Sequence, residues 1–378
     1  MKQGWEIKRL GDVCDKASSN ISQNKLHDEV GVYPIFGASG FIKNVSFYHQ
    51  DKPYLSIVKD GSGVGRVTKM DAFTSVIGTL QYILPNEGID LDYLNYSLMS
   101  VDFKKYVAGA AIPHIYFKDY KNEPFLYMPF QEQQRIVAIL DKAFESIANA
   151  KANAEQNLKN AKELFENYLQ SVFENPKDSW EKKKWGDLCH FVRGPFGGSL
   201  KKSIFKEEGY VVYEQKHAIH DHFNQLRYFI DEEKFNEMIR FEVKPGDIIM
   251  SCSGVTLGRV AIVPENIQRG IINQALLKLT PKKNVSVDYI KHWLRSNIFQ
   301  KIIFDYSGGA AIPNVPSAKI LKDILIPFPS LSEQNDVVIN IELMLIKTKK
   351  LKNIYQKKIE NLEELKKSIL QKAFNGEL

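Results

Sequence analysis

"PFQEQQRI" (Pro129–Ile136) returns 200 residues later as "PSLSEQNDV" (Pro329–Val337; 329 − 129), and the residues after each copy decide the fold. After the first copy, apolar or small residues fall at Ile136, Leu140, Ala143, Ile147, Ala150, Ala154, Leu158, Ala161, Phe165, Tyr168 and Val172. That is ten steps over 36 residues (172 − 136), or 3.6 per step, the period of an α-helix with one apolar face. From Glu132 and Glu333 onward the copies keep an offset of 201 (333 − 132). The shifted seam is Val337, Ile341, Met344, Thr348, Leu351, Tyr355, Ile359, Leu362, Lys366, Ile369 and Ala373, apolar or aromatic at nine of eleven positions. Neither seam holds Pro or Gly. Two helices of about 40 residues, each with one stripe, need a partner ~60 Å long, and the nearest candidate for each is the other. A separate chain is the alternative partner. Ala143, Ala150, Ala154 and Ala161 stand where the second helix carries Met344, Leu351, Tyr355 and Leu362, so a slender seam faces a bulky one and favours pairing within the chain.

The duplication reaches outward from the helices. "WEIKRLGDVC" (Trp5–Cys14) is echoed by "WEKKKWGDLC" (Trp180–Cys189) at an offset of 175 (180 − 5). "GRV" at Gly65 returns at Gly258, offset 193 (258 − 65), and "GAAIP" at Gly109 returns letter for letter at Gly309, offset 200 (309 − 109). The rising offset places the insertions in the second copy. Between the echoes lie short apolar runs such as "YLSIV", "QYIL", "DIIMSC" and "RVAIV", broken by Gly, Pro, Asn and Asp, which read as strands of a mixed domain. The expected organisation is α+β: a first mixed domain over 1–128, a long helix over 129–175, a second domain over 176–328 and a second long helix over 329–378. Single helices from Asp92 to about Val107 and from Asp288 to about Tyr306 close the domains, and Gly109 and Gly308 or Gly309 read as their C-caps. Because the second domain begins just after the first helix ends, the second helix can pack on the first only by running back along it. The pair is expected to be antiparallel, with an internal pseudo-two-fold axis.

Charge and cysteine content narrow the class. The 51 Lys+Arg against 45 Asp+Glu give +6, which permits nucleic acid as a partner without demanding it. Cys14, Cys189 and Cys252 form no CxxC pair and read as buried thiols in a reducing compartment. No apolar run approaches the ~20 residues that span a bilayer, so the expectation is a cytoplasmic protein with no membrane partner.

Several segments taken together resemble a known family, the specificity subunits of type I restriction-modification systems. They are "WEIKRLGDV" and its echo, "YPIFGASG" (Tyr33–Gly40), "GSGVGRV" from Gly61 with "CSGVTLGRV" from Cys252, the two "GAAIP" segments running into the long helices, and the closing "LKKSILQKAFNGEL". The resemblance covers the whole chain in order. It implies a non-catalytic reader of double-stranded DNA in which two target-recognition domains, joined by two antiparallel helices, each read one half of a split target. It also implies two methylation subunits and restriction subunits as partners. S-adenosylmethionine, ATP and magnesium belong to those partners, and no cofactor or metal is expected in this chain.

Each candidate contact has a plainer reading beside it. In "KDGSGVGRV", Lys59, Ser62 and Arg66 either approach DNA or decorate a tight strand turn, and Ser253, Thr256 and Arg259 of "SCSGVTLGRV" carry the same choice. Ser39, Lys43 and Asn44 after "YPIFGA" reach base edges or belong to a β-turn. Arg193, Lys201 and Lys202 of "RGPFGGSLKKS" are phosphate-contact candidates; the segment lacks the Gly-Lys-Ser order of a P-loop. His217, His220 and His222 read as surface or DNA-facing histidines, since a metal site would need them to converge. "FEVKPGD", with Glu242, Lys244 and Asp247, reads as a strand and turn more readily than as a nuclease cluster. In the family, Gly109, Pro113, Gly309 and Pro313 mark the junction between reader and helix. No methyltransferase base-holding motif is found, so the chain is read as no enzyme. Two other readings remain: a recognition subunit whose partner fuses methyltransferase and nuclease, and a coiled-coil scaffold without a DNA role.

Overall fold

The computed structural model describes residues 4–109, 111–307 and 313–378. The chain divides into two compact units, Met1–Gln156 with Tyr355–Leu378, and Asn157–Ile354.

The first unit contains β1 (Glu6–Arg9), β2 (Cys14–Ser18), β3 (Tyr33–Gly37), β4 (Gly40–Val45), β5 (Tyr54–Val58), β6 (Val67–Met70), β7 (Ser75–Val76), β8 (Leu80–Pro85), α1 (Leu91–Ser100), α2 (Phe117–Tyr120), β9 (Pro124–Tyr127) and the start of α3 (Phe130–Glu174). They form a four-stranded antiparallel sheet ordered β2-β8-β5-β6, a three-stranded sheet β4-β3-β7 with β3 and β7 parallel, and a ribbon β1-β9. The second unit has the end of α3, then β10 (Glu181–Lys184), α4 (Trp185–Leu188), β11 (Cys189–Arg193), β12 (Tyr210–Tyr213), α5 (Gln215–His220), β13 (Phe229–Ile230), α6 (Glu232–Glu237), β14 (Ile248–Ser251), β15 (Val260–Ile262), β16 (Gly270–Ile272), β17 (Leu276–Pro281), α7 (Val287–Arg295), α8 (Asn297–Ser307), α9 (Ala318–Asp323), β18 (Leu325–Phe328) and the start of α10 (Leu331–Phe374), whose end belongs to the first unit. Its sheets are β11-β17-β14-β15, β13-β12-β16 with β12 and β16 parallel, and β10-β18. The sequence duplication is therefore a duplication of topology, strand for strand. The continuous apolar runs "YLSIV" and "IIMS" become β5 and β14, inner strands buried along their whole length. Where the first unit turns from β3 to β4 through Ala38 and Ser39, the second connects β12 to β13 through α5, which accounts for part of the larger second copy.

The closing helices depart from expectation. Each breaks in two: α1 stops at Ser100 with Val101 extended, and α7 stops at Arg295 with Ser296 extended before α8. The buried Ser296 hydroxyl donates to the Trp293 carbonyl at 2.7 Å and accepts from the Phe299 amide at 3.4 Å, ending one helix and capping the next. Asp102 similarly caps a short turn over Phe103–Tyr106. Gly109, with φ +87°, is consequently no helix C-cap: it lies in the turn between Ala108 and His114, which exchange backbone hydrogen bonds of 2.9 Å. Gly308 and Gly309 lie outside the described residues.

In the first unit the opening of α3 packs antiparallel to the end of α10. Arg135 donates to the Leu378 carbonyl at 3.2 Å, Lys366 lies 4.8 Å from the Phe144 ring, and Lys151 pairs with Glu363 at 2.7 Å. Partner numbers fall as position rises, and Ile136, Leu140, Leu370 and Ala373 share one core. In the second unit Leu169, Phe173 and Ile341 share a core on which Phe165 and Val337 pack, while Ala161 and Phe165 line one groove with Leu345 and Thr348. The direction is again antiparallel. Of the remaining seam positions, Ile147 and Ala154 are buried, and Ala143, Ala150, Leu158, Met344, Leu351, Tyr355, Ile359, Leu362 and Ile369 are half-buried.

A pair of glutamines that sequence reasoning passed over anchors each long helix. Gln133 and Gln334 are fully buried. Gln133 accepts from the Asp90 amide at 2.8 Å and donates to the Gly88 and Met128 carbonyls at 2.9 and 2.8 Å. Gln334 accepts from the Ser286 amide at 2.8 Å and donates to the Pro329 carbonyl at 2.9 Å. Asp90 and Ser286 are the N-caps of α1 and α7, so each glutamine ties a long helix to its domain's closing helix. A second tie lies about two turns further along each long helix: Tyr96 donates to Asp141 at 2.5 Å, and at the corresponding place the His292 ring meets Glu342 at 2.9 Å.

Candidate nucleic-acid interface

In each unit one end of the four-stranded sheet gathers several loops. In the first, the end of β2 and the end of β5 flank the start of β8, with Ser18 paired to Gln81 and Val58 to Leu80. In the second, the ends of β11 and β14 flank the start of β17, with Arg193 paired to Leu277 and Ser251 to Leu276. Strands far apart in sequence thus deliver their following loops to one place.

The glycine loops are held in the same frame in both units. The Gly61 amide donates to the Pro113 carbonyl (2.8 Å) and Ile115 to Lys59 (2.9 Å); Gly254 donates to Pro313 (2.9 Å) and Val315 to Cys252 (3.0 Å). Pro113 and Pro313, expected at the junction with the long helices, instead pin the glycine loops. The chain reaches α3 only after passing through α2 and β9. Gly65 shows why the loop needs glycine: its φ is +86°, and a Cβ there would lie 2.5 Å from the Phe103 Cβ.

The loop that follows the first strand of the small sheet adds a third side. In the first unit Arg66 donates to the Ala38 carbonyl in the β3–β4 turn. In the second, Gln215 at the start of α5 accepts from the Cys252 and Ser253 amides, both at 3.2 Å, and donates to the Ser253 hydroxyl at 3.2 Å. Gln215 gave no signal in the sequence, because the residues it holds are 37 and 38 positions away.

The candidate contacts separate by what already holds them. Ser39, Asn44, Ser62, Arg66, Arg193, Lys201, Lys202 and Arg259 are exposed. Lys43 is half-buried and donates to the Leu26 and His27 carbonyls at 2.9 and 3.3 Å. Lys59 pairs with Asp60 at 3.7 Å. Ser253 and Thr256 are half-buried; Thr256 accepts the Ser251 hydroxyl at 2.5 Å through its carbonyl, and Ser251 in turn accepts from the Arg259 amide at 3.0 Å. Burial pushes the Cys252 thiol up to about 12, against the nearby Arg193 guanidinium, so this thiol stays neutral.

The other titratable clusters are structural. Asp247 accepts from the Lys244 amide at 2.8 Å and from the Thr280 hydroxyl, closing the Pro-Gly turn. Glu242 pairs with Arg269 at 2.9 Å. His217 is buried against the Glu214 backbone, and burial lowers its pKa, while His220 and His222 stack on each other at 5.8 Å. Among the described residues no group of three or more His, Cys, Asp or Glu side chains could hold a metal ion, and no helix is long and apolar enough to cross a membrane.

Residues 2–160 and 177–370 match the family described as the type I restriction modification DNA specificity domain. The chain belongs to this family. It is 24% identical, over 100% of its length and 93% of the relative's, to the type I restriction enzyme MjaVIII specificity subunit of Methanocaldococcus jannaschii. A 140-residue stretch, 37% of this chain and 29% of the relative, is 30% identical to the EcoBI specificity subunit of Escherichia coli. Two solved structures share its fold. One, reported for complex assembly and conformational transition of a type I restriction-modification system, aligns with TM-score 0.74 over 100% of this chain and 99% of that one at 18% identity. The other, the HsdS subunit from Thermoanaerobacter tengcongensis, aligns with TM-score 0.66 over 100% and 98% at 18% identity.

Proposed function

We propose that this specificity-family chain reads a bipartite double-stranded DNA target, one half-site per unit, through the loop-bearing ends of its two four-stranded sheets. The observation that carries this reading is the repetition of one loop frame with different side chains on it: Ser62 and Val255 occupy the same place, as do the Ala38–Ser39 turn and α5. A constant frame with variable tips is what two readers of different sequences require. Arg66, Arg193, Lys201, Lys202 and Arg259 supply cations for phosphates or guanine edges, and Ser39, Asn44, Ser62 and Thr256 supply short polar groups. Lys43, Lys59, Ser253 and Gln215 position the loops. Gly109, Pro113 and Pro313 set the glycine loop against its neighbours.

The antiparallel helices act as the ruler for the unread spacer, with domains at 1–128 and 176–328 and helices at 129–175 and 329–378. The chain positions two methylation subunits and the restriction subunits, which carry the S-adenosylmethionine, ATP and magnesium chemistry, and itself catalyses nothing. Its site of action is the cytoplasm, where the DNA is. One added helical turn moves a reader by ~5.4 Å, about one to two base pairs. Inserting four residues into both helices is therefore expected to change the spacer of the methylated motif and leave both half-sites intact. Sequencing of modified genomic DNA measures this, and an unchanged spacer refutes the ruler.

A further inference from the structure

The two glycine loops share their backbone hydrogen bonds but not their tips. Val64 donates to Gly61 (3.3 Å) and Gly65 to Val58 (2.9 Å) in the first; Leu257 donates to Gly254 (3.1 Å) and Gly258 to Ser251 (2.9 Å) in the second. With the offset constant at 193, Ser62 in the first unit corresponds to Val255 in the second (255 − 62). Val255 is 89% exposed.

The neighbouring loop of the second unit repeats the pattern. Phe196 is 93% exposed, and it and Val255 are the two most exposed large apolar side chains among the described residues. Phe196 is held out rather than loosely tethered. The Gly194 amide donates to Leu276 at 2.9 Å, a Cβ on Gly194 would lie 1.9 Å from the Asn273 carbonyl oxygen, Pro195 is buried, and the Ser199 amide donates to the Phe196 carbonyl at 2.9 Å. Exposed Arg193, Lys201 and Lys202 flank it in sequence. Both tips follow strands that end at the start of β17, one on each side of it. Isolated apolar residues on a surface need no explanation. Two nearly naked ones on pinned loops, at one sheet end and amid cations, fit a polyanion that also offers apolar groups. The major groove offers the thymine 5-methyl group.

We propose that the second unit reads its half-site partly by apolar contact, with Phe196 and Val255 seated against thymine methyl groups in the major groove. This rests on the reading of the chain as a bipartite DNA reader. The test uses the complex reconstituted with its partner subunits and duplexes in which uracil, which lacks only the methyl group, replaces thymine in one half-site at a time. Replacement in the second half-site is expected to weaken wild-type binding about fourfold per contacted methyl. Val255→Ser with Phe196→Ala should bind thymine and uracil duplexes equally, while Val255→Thr, which keeps a methyl in the same backbone frame, should retain part of the discrimination. The proposal is overturned by a wild-type complex indifferent to uracil in the second half-site, by a second half-site without any A·T pair, or by discrimination that survives the double substitution. A wild-type complex that yields no bipartite motif refutes the underlying reading instead.

Discussion

Replacing Gln133 by Leu isolates the bond between reader and helix. The side chain is fully buried, and its amide satisfies three backbone groups: the Asp90 amide and the Gly88 and Met128 carbonyls. Leucine fills a similar volume and satisfies none. Each lost bond costs about 1 kcal/mol net, and more where the orphaned group stays away from water, so the total is about 3 kcal/mol. The first unit has 180 residues (156 + 24), a size at which 1 kcal/mol moves the midpoint by about 2–4 °C, so its transition should fall by about 6–12 °C. Gln334→Leu removes two such bonds in the second unit and should cost about 2 kcal/mol there. Calorimetry reads the transitions, and hydrogen exchange reads the Asp90 amide, which loses its acceptor. A Gln133→Leu protein that melts within about 2 °C of wild type, with unchanged exchange at Asp90, would show that the buried glutamine is incidental.

Other perturbations discriminate as sharply. Gly65→Ala places a Cβ against Phe103 at positive φ and should cost at least about 2 kcal/mol, whereas Gly88→Ala, at positive φ in open space, should cost about 1 kcal/mol; chemical denaturation compares them. Lys201→Ala with Lys202→Ala should reduce the slope of log affinity against log salt by about 2, while Lys43→Ala should leave it unchanged because that ammonium is held by two carbonyls. In the second unit burial lowers the pKa of His217, and that of His292 against the pull of Glu342, so both stay neutral in the fold. Their contribution to stability is complete above the ordinary value of 6.5 and is lost as pH falls below it toward the lowered folded values. The second unit's melting point should therefore drop on acidification below 6.5, and His292→Gln should flatten part of that drop.

The long helices are legible because a 3.6-residue period repeated over ten steps accumulates into an unambiguous signal, twice. The glutamine anchors are legible in principle, since the "EQ" of both copies sits at the constant offset of 201 (334 − 133), but a polar residue beside an apolar seam carries no mark of burial. The break between α7 and α8 falls at Ser296-Asn297, where Ser reads equally as a polar residue on a helix face or as a cap, and only the burial of its hydroxyl and its bonds to Trp293 and Phe299 show that it ends one helix and starts the next. Lys43 reads as a free cation in "IKNV" because its carbonyl partners lie 16 and 17 residues earlier.

The duplication, the two amphipathic helices, the strand-rich domains between them and the family resemblance all follow from local periodicity and repeated words. Tertiary structure decided which of the repeated words meet. The "GAAIP" segments pin the glycine loops because backbone amides of Gly61 and Gly254 need acceptors and find Pro113 and Pro313, about 50 and 60 residues downstream (113 − 61 = 52; 313 − 254 = 59). The frame is fixed by backbone bonds and by side chains away from the tips, such as Gln215 and Ser251, which leaves Ser62, Val255 and Phe196 free to differ in chemistry without altering the fold that presents them.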